Sequence, residues 1–289
     1  MRRRIGNIVL VAAFVVGVLL FVYPSVSEWW NASRASRVVD SYTSTVNELA
    51  EEERASMLEE ARSYNESLLT LTDRYHPSSA VHERYLSTLD PAGDGVMCWI
   101  EIPKISVRLP VYHSVDDEVL NAGVGHLEGS SLPVGGPSTH AVLSGHRGLP
   151  SARLLTDIDQ LVEGDHFMVH VLDETLTYEV DQIRIVEPDE LDDLEIEDGL
   201  DLCTLVTCTP YGVNTHRLLV RGHRVAGDPA SVALEADAER VDPQVVAPLI
   251  AAPVLVALFA LMLWRTRQKP PAKAPTDENP SDRKDETHE

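Results

Sequence analysis

Two long uncharged apolar runs bracket the chain. The first, Ile5 to Val22, has Asn7 as its one strongly polar residue. Its length approaches the ~20 residues that cross a hydrocarbon core. Arg2, Arg3 and Arg4 precede it and Trp29 and Trp30 follow, the flanks of a helix whose amino end stays in the cytoplasm. No small-x-small cleavage pattern follows promptly, so the run is read as a retained anchor rather than a signal peptide. The second run, Val245 to Trp264, contains Pro248 and Pro253, which membrane helices tolerate. Arg265, Arg267, Lys269 and Lys273 follow it. These flanks predict a two-pass protein of the cell membrane, with spans at 5–22 and 245–264 and cytoplasmic ends at 1–4 and 265–289. Everything between the spans lies outside the cell. The last stretch, from Pro270, is rich in Pro, Lys, Asp and Glu and predicts a disordered tail.

Residues 27–94 form a helical extension. Tyr42, Val46 and Leu49, then Met57, Ala61, Tyr64 and Leu68, recur at three- and four-residue spacing. That periodicity predicts one or two helices lying against the next domain. After Asp94-Gly95 the pattern alternates, beginning with Ile100, Ile102 and Ile105 to Leu109. Further strands are predicted at Ala141 to Ser144, Phe167 to Leu172, Leu176 to Val186, Leu202 to Thr207 and Arg217 to Val225. Short helical pieces fit Val119 to Ala122 and Arg153 to Leu161. Many short strands with Gly- and Pro-rich turns predict a mostly β barrel or sandwich over 95–227, joined to the second apolar run by a linker at 228–244.

Charge narrows the function. The chain carries 46 acidic against 24 basic residues, a net charge of -22. A nucleic-acid partner would select Lys and Arg, so that class is set aside. Three cysteines, Cys98, Cys203 and Cys208, include no CxxC pair, and no zinc ribbon or dithiol motif is visible. Cys98 and Cys203 are read as small buried hydrophobes, able to pair only if the fold brings them together.

Cys208 is different. The β-branched run Thr204-Leu205-Val206-Thr207 ends at it, and Pro210-Tyr211-Gly212 then turns the chain. A nucleophile at a strand end is held rigidly yet exposed at the rim. Arg217 opens the returning strand. In Ser144-Gly145-His146-Arg147-Gly148 a second apolar strand ends in a Gly-flanked polar group. Only a thiolate attacks well, and an imidazolium beside it lowers its pKa from near ~8.5. The same histidine can protonate a leaving amine. A guanidinium donates in a fixed fork suited to an oxyanion. The residue pattern by itself leaves a Cys/His enzyme beside the ordinary structural roles of each residue.

The string TLVTCTPYGVNTHRLLVRGHR, Thr204 to Arg224, resembles the signature of sortases, above all the class C or pilin-polymerising sortases of Gram-positive bacteria. GVGHLEGSSLPVGGPSTHAVLSGHRGLPSARLLTDID, Gly123 to Asp159, resembles that family's histidine region, and WIEIPKI, Trp99 to Ile105, its first strand. The likeness covers roughly Gly95 to Val225. It implies an eight-stranded sortase β-barrel with short helices. It also places Cys208 as nucleophile, His146 as acid/base and Arg217 as electrophilic stabiliser. His140, His216 and Arg221 fall outside those positions and are read as structural.

The resemblance also implies a reaction. Cys208 would cleave the Thr–Gly bond of an LPXTG-type sorting signal through a thioacyl enzyme, and a lysine amine of a pilin subunit would resolve it. The implied partners are sorting-signal proteins and pilin subunits. A housekeeping-type sortase using cell-wall precursor is the alternative, with a cysteine hydrolase and a non-enzymatic surface module behind it. No metal or organic cofactor is required. Class C sortases carry a lid with the pattern Asp-Pro-aromatic, and Asp73-Arg74-Tyr75 is its best counterpart here. Asp73 would then reach Arg217 and Tyr75 would cover Cys208. Arg74 in place of Pro removes a fixed φ, which either loosens the lid or is offset by an ion pair. The acidic stretch Glu187 to Asp201 is predicted to wall the substrate groove and to attract the lysine.

Overall fold

The computed structural model describes residues 2–149, 151–226 and 243–267. Most of the predicted linker, and the predicted tail from residue 268, lie outside them. The first helix, α1 (Arg2–Glu48), is continuous through Pro24. The predicted span and the start of the helical extension are one helix: proline removes one ladder bond there without ending an apolar helix. The part from Ile8 to Glu48 contains an apolar stretch with a mean hydropathy of 2.6, none of it buried, enough by length and composition to cross a membrane. Helices α2 (Glu51–Leu68) and α3 (Ser79–Ser87) follow. The repeated spacing had its reason: Tyr42, Val46, Ala61, Tyr64 and Leu68 are all buried. Polar side chains fix the docking. Tyr42 Oη donates to the Met97 carbonyl at 3.0 Å and accepts from the Leu172 amide at 2.9 Å. The Asn65 amide brackets Leu132, donating to its carbonyl at 3.0 Å and accepting from its amide at 2.7 Å.

Eight strands close a barrel: β1 (Val96–Ile102), β2 (Val107–His113), β3 (Val124–His126), β4 (Thr139–Ser144), β5 (His166–Val171), β6 (Glu174–Val186), β7 (Asp201–Thr209) and β8 (His216–Arg224). Around the barrel the order is β1-β2-β3-β4-β7-β8-β6-β5, with β5 pairing back to β1. Two neighbouring pairs are parallel, β2 with β3 and β4 with β7. The first needs a crossover, and the short helix α4 (Asp117–Ala122) supplies it. The predicted helix over Arg153 to Leu161 reduces to one tight turn, Ile158–Gln160.

Inward positions alternate with outward ones, as a closed barrel requires. Cys98, Ile100, Leu143, Phe167, Tyr178, Cys203, Leu205 and Val220 fill the interior. Gly222 is needed there, because a Cβ would come within 2.8 Å of the Phe167 ring. Cys98 and Cys203 are buried and unpaired thiols, and burial pushes both thiols up. A separate unit, Asp242–Glu289, contains helix α5 (Pro243–Arg267). Its described apolar part, Ile250–Met262, is shorter than a span. The two-pass expectation is therefore not supported beyond α1.

Candidate active site

Strand register sets the site. In the antiparallel β7–β8 pair, Cys208 stands directly opposite Arg217, so their side chains leave the same face as neighbours. In the parallel β4–β7 pair, Ser144 is level with Val206. The Gly145 amide still bonds the Val206 carbonyl at 3.0 Å, and His146 follows just past the end of this pairing. Hydrogen bonds on either side of His146 and Cys208 tie the two segments together. Thr207 Oγ1 donates to the Gly145 carbonyl at 2.8 Å, and Arg147 Nη1 donates to Thr209 Oγ1 at 3.3 Å. Arg147 is only 10% exposed and is fixed from behind by Asp159. The three predicted residues are thus gathered at one rim, all half-buried. Cys208 is the one cysteine of the three that reaches solvent.

The face is the outer one. Val142, Val206 and Leu219 point outward and form a second apolar cluster with Val186 and Leu194, joined by Leu127 and Leu191. Side chains repeat every second residue, so Cys208 and Arg217 continue that face beyond Val206 and Leu219. The connection between β6 and β7 therefore packs over this apolar face as a wall beside Cys208.

That wall is pinned from several sides. Buried His140 pairs its Nδ1 with the Glu195 carbonyl at 2.8 Å and its Nε2 with Thr204 Oγ1 at 2.7 Å. Both contacts are satisfied by a neutral ring that donates from Nδ1 and accepts at Nε2. Burial lowers its pKa, helped by the Arg221 and Arg74 charges. Arg221 bonds Asp181 at 3.1 Å and Glu197 at 2.9 Å. Arg184 holds Asp193 at 2.9 Å. His216 Nε2 lies 3.3 Å from Glu187. His140 and Arg221 are structural as expected, but they serve the groove rather than the barrel at large. Several carboxylates of the acidic stretch are already matched by these bases, which weakens the field expected to draw in a lysine.

The segment between α2 and α3 lies on the same wall. Asp73 does not pair with Arg217. It is 67% exposed and bonds His76 Nδ1 at 2.9 Å. Tyr75 Oη donates to the Leu194 carbonyl at 3.3 Å rather than covering Cys208 by any direct bond. The anchor is Arg74, 11% exposed. Its Nη2 reaches the Leu194 carbonyl at 3.2 Å, Tyr75 Oη at 3.1 Å and the Glu195 carboxylate at 3.1 Å. Gly129, at φ 92°, lets the segment press down, since a Cβ there would meet the Arg74 carbonyl at 2.4 Å. Of the two outcomes open for Arg74, the ion pair is the one found, and it fastens the segment.

Sequence reading missed Arg147, Thr207 and Thr209. The available signal was the Thr207-Cys208-Thr209 string and Arg147 beside His146, which become informative only once β4 and β7 are known to be parallel neighbours. No group of three His, Cys, Asp or Glu side chains able to hold a metal occurs among the described residues.

A family model described as "Sortase domain" matches residues 100–225. The crystal structure of sortase C1 from Streptococcus agalactiae is 52% identical to this chain, covering 66% of it and all of that chain, with a TM-score of 0.64. A sortase C from Clostridium perfringens, solved with the C-terminal cell wall sorting motif, is 42% identical, covering 67% of this chain and all of its own, with a TM-score of 0.60. Among curated relatives, sortase D of Bacillus subtilis is 31% identical over 129 residues, 44% of this chain. The chain spans 62% of that relative's length.

Proposed function

This chain belongs to the sortase family, generally cysteine transpeptidases, with class C sortases as its structural neighbours, and we propose that it joins a sorting signal of the LPXTG type to a lysine amine of a pilin subunit. The observation that carries this reading is the single solvent-reaching thiol, Cys208, set opposite Arg217, with the residues on either side of His146 bonded to those on either side of Cys208. Beside that thiol, on the same face, Val142, Val206 and Leu219 are packed under Leu191 and Leu194 of the β6–β7 connection, which gives a firm wall for an extended peptide to lie against.

In the first half-reaction Cys208 Sγ, as thiolate, adds to the Thr carbonyl carbon of the Thr–Gly bond. Arg217 stabilises the oxyanion. The C–N bond breaks, the departing glycine amine takes the proton from His146, and a thioester remains on Cys208. In the second, a lysine Nζ adds to that thioester and gives a proton back to His146. Collapse forms the isopeptide bond and expels the Cys208 thiolate. Water would end the same intermediate unproductively, and the wall held by Arg74 and His140 favours the amine by limiting access.

The apolar helix α1 supports anchoring in the cell membrane, with Arg2 to Arg4 on the cytoplasmic side and the barrel outside. The test of the reaction is a two-acceptor assay. A sorting peptide is offered with either a pilin-derived lysine peptide or a cell-wall stem amine, and ligation is followed by mass. Preferential lysine ligation is expected. Ligation to the stem amine alone would make the chain a wall-anchoring sortase, and hydrolysis alone would make it a hydrolase. Arg217→Lys keeps the charge but loses the planar fork. It is expected to lose about 10²–10³ in rate, and near-normal turnover would remove Arg217 from the mechanism.

A further inference from the structure

The turn of α1 just past its apolar stretch is fastened to the catalytic loop. Ser27 Oγ and Asn31 Nδ2 both donate to the Ser151 carbonyl, at 3.1 and 2.7 Å, and the Arg153 amide donates to the Glu28 carboxylate at 2.5 Å. Residues 151–153 belong to the loop that carries His146. The Leu155 amide donates to the His146 carbonyl at 3.2 Å, and the Gly148 amide to Thr156 Oγ1 at 3.2 Å. Between the gripping residues, Trp29 and Trp30 are 67% and 60% exposed. Aromatic residues placed so, at the end of an apolar helix, favour the headgroup layer.

The same helix measures height. Its Tyr42 meets Leu172, at the turn between β5 and β6. At 1.5 Å per residue, that level is about 20 Å further along α1 than Glu28. One end of the barrel is therefore near the exit of the apolar stretch and the β5–β6 turn is far from it. The turn after Cys208 belongs to the near end. A Cβ on Gly148 would meet the Tyr211 ring at 3.1 Å. Tyr211 and Val213, on that turn, are 60% and 65% exposed, an apolar surface on a strongly acidic chain.

We propose that the catalytic rim faces the lipid headgroup layer. Ser27, Glu28 and Asn31 hold the loop behind His146 at that height, and Trp29, Trp30, Tyr211 and Val213 make the interfacial contacts. The partner is a bilayer surface rather than a protein, because the apolar stretch of α1 runs directly into this patch. The inference rests on the membrane anchoring proposed above. A substrate tethered in the same bilayer then meets Cys208 at a raised effective concentration.

The test uses the full chain carrying Cys208→Ala, with Cys98 and Cys203 left in place because both are buried. Val213→Cys or Asp173→Cys is added and labelled with a fluorophore, and the protein is reconstituted in phosphatidylcholine vesicles containing a headgroup nitroxide. Asp173 adjoins the far turn and is 51% exposed. The Val213→Cys label should be quenched several-fold more strongly than the Asp173→Cys label. Equal quenching, or the reverse order, overturns the inference while leaving the reaction untouched. A chain that fails to float with the vesicles removes the anchoring and the inference together.

Discussion

Arg74→Ala should release the segment between α2 and α3 from the groove wall. The side chain is 11% exposed and gives three contacts, to the Leu194 carbonyl, Tyr75 Oη and the Glu195 carboxylate. A hydrogen bond from a charged donor is worth roughly 1.5–3 kcal/mol. The Glu195 partner is 59% exposed, so its ion pair adds only about 0–1 kcal/mol. All three contacts share the one Nη2, so the set counts as little more than a single bond, about 2 kcal/mol, which corresponds to a roughly thirtyfold rise in the open population at about 1.4 kcal/mol per decade. Cleavage by chymotrypsin after Tyr75 reports that population when reclosing is fast. Arg74→Ala should raise the cleavage rate by about thirtyfold. Asp73→Ala breaks a pair whose members are 67% and 85% exposed, and should raise it by no more than about fivefold. Equal rates for the two variants, or a larger effect of Asp73→Ala, would refute the assignment of Arg74 as the fastening residue.

Thr207→Val removes the buried bond to the Gly145 carbonyl and should cost roughly 1–3 kcal/mol of stability. Because that bond ties the His146 segment to that of Cys208, kcat/KM for acylation should also fall by about 10–100-fold, and unchanged kinetics would show that other contacts position the two. Stability should depend on pH through His126, which is fully buried and whose pKa is pushed by that burial from 6.5 to about 4. The unfolded state binds the extra proton between those values, so stability is complete above pH 6.5 and lost as pH falls toward 4. The size is about 2.5 units at 1.4 kcal/mol each, or about 3 kcal/mol. His140, also lowered, adds to the same slope. Denaturant melts across this range should show the slope, and His126→Gln should flatten it. A slope that persists in the variant would place the titrating group elsewhere.

The barrel was legible because its strands alternate and are separated by Gly and Pro turns. The candidate site was suggested because Cys208 lies at the penultimate position of an apolar strand and His146 two residues past another. The three-residue strand β3 escaped, being too short to show a period, and its place between β2 and β4 depends on a parallel pairing that no local pattern announces. Helix α3 shows no apolar face in the sequence, having Tyr85 as its one buried residue. The 153–161 segment was misread because its apolar spacing serves a loop folded against the barrel rather than a helix. Asp73 was assigned by motif, but contacts to the wall went to its neighbour: Arg74 has the longer reach and the fork to serve a carbonyl and a carboxylate together. The acidic stretch looked like an unopposed field only because its bases, Arg74, Arg184, His216 and Arg221, lie elsewhere in the sequence.

The central claim is that Cys208 forms a thioester with the sorting signal. The direct measurement incubates the chain with a sorting peptide, records the intact mass and maps the adduct by digestion. A mass increase equal to the peptide up to its threonine, located on Cys208, is expected. Cys208→Ala should abolish it, and Cys98→Ala and Cys203→Ala should retain it. An adduct on Cys98 or Cys203, or one that persists in Cys208→Ala, would contradict the account.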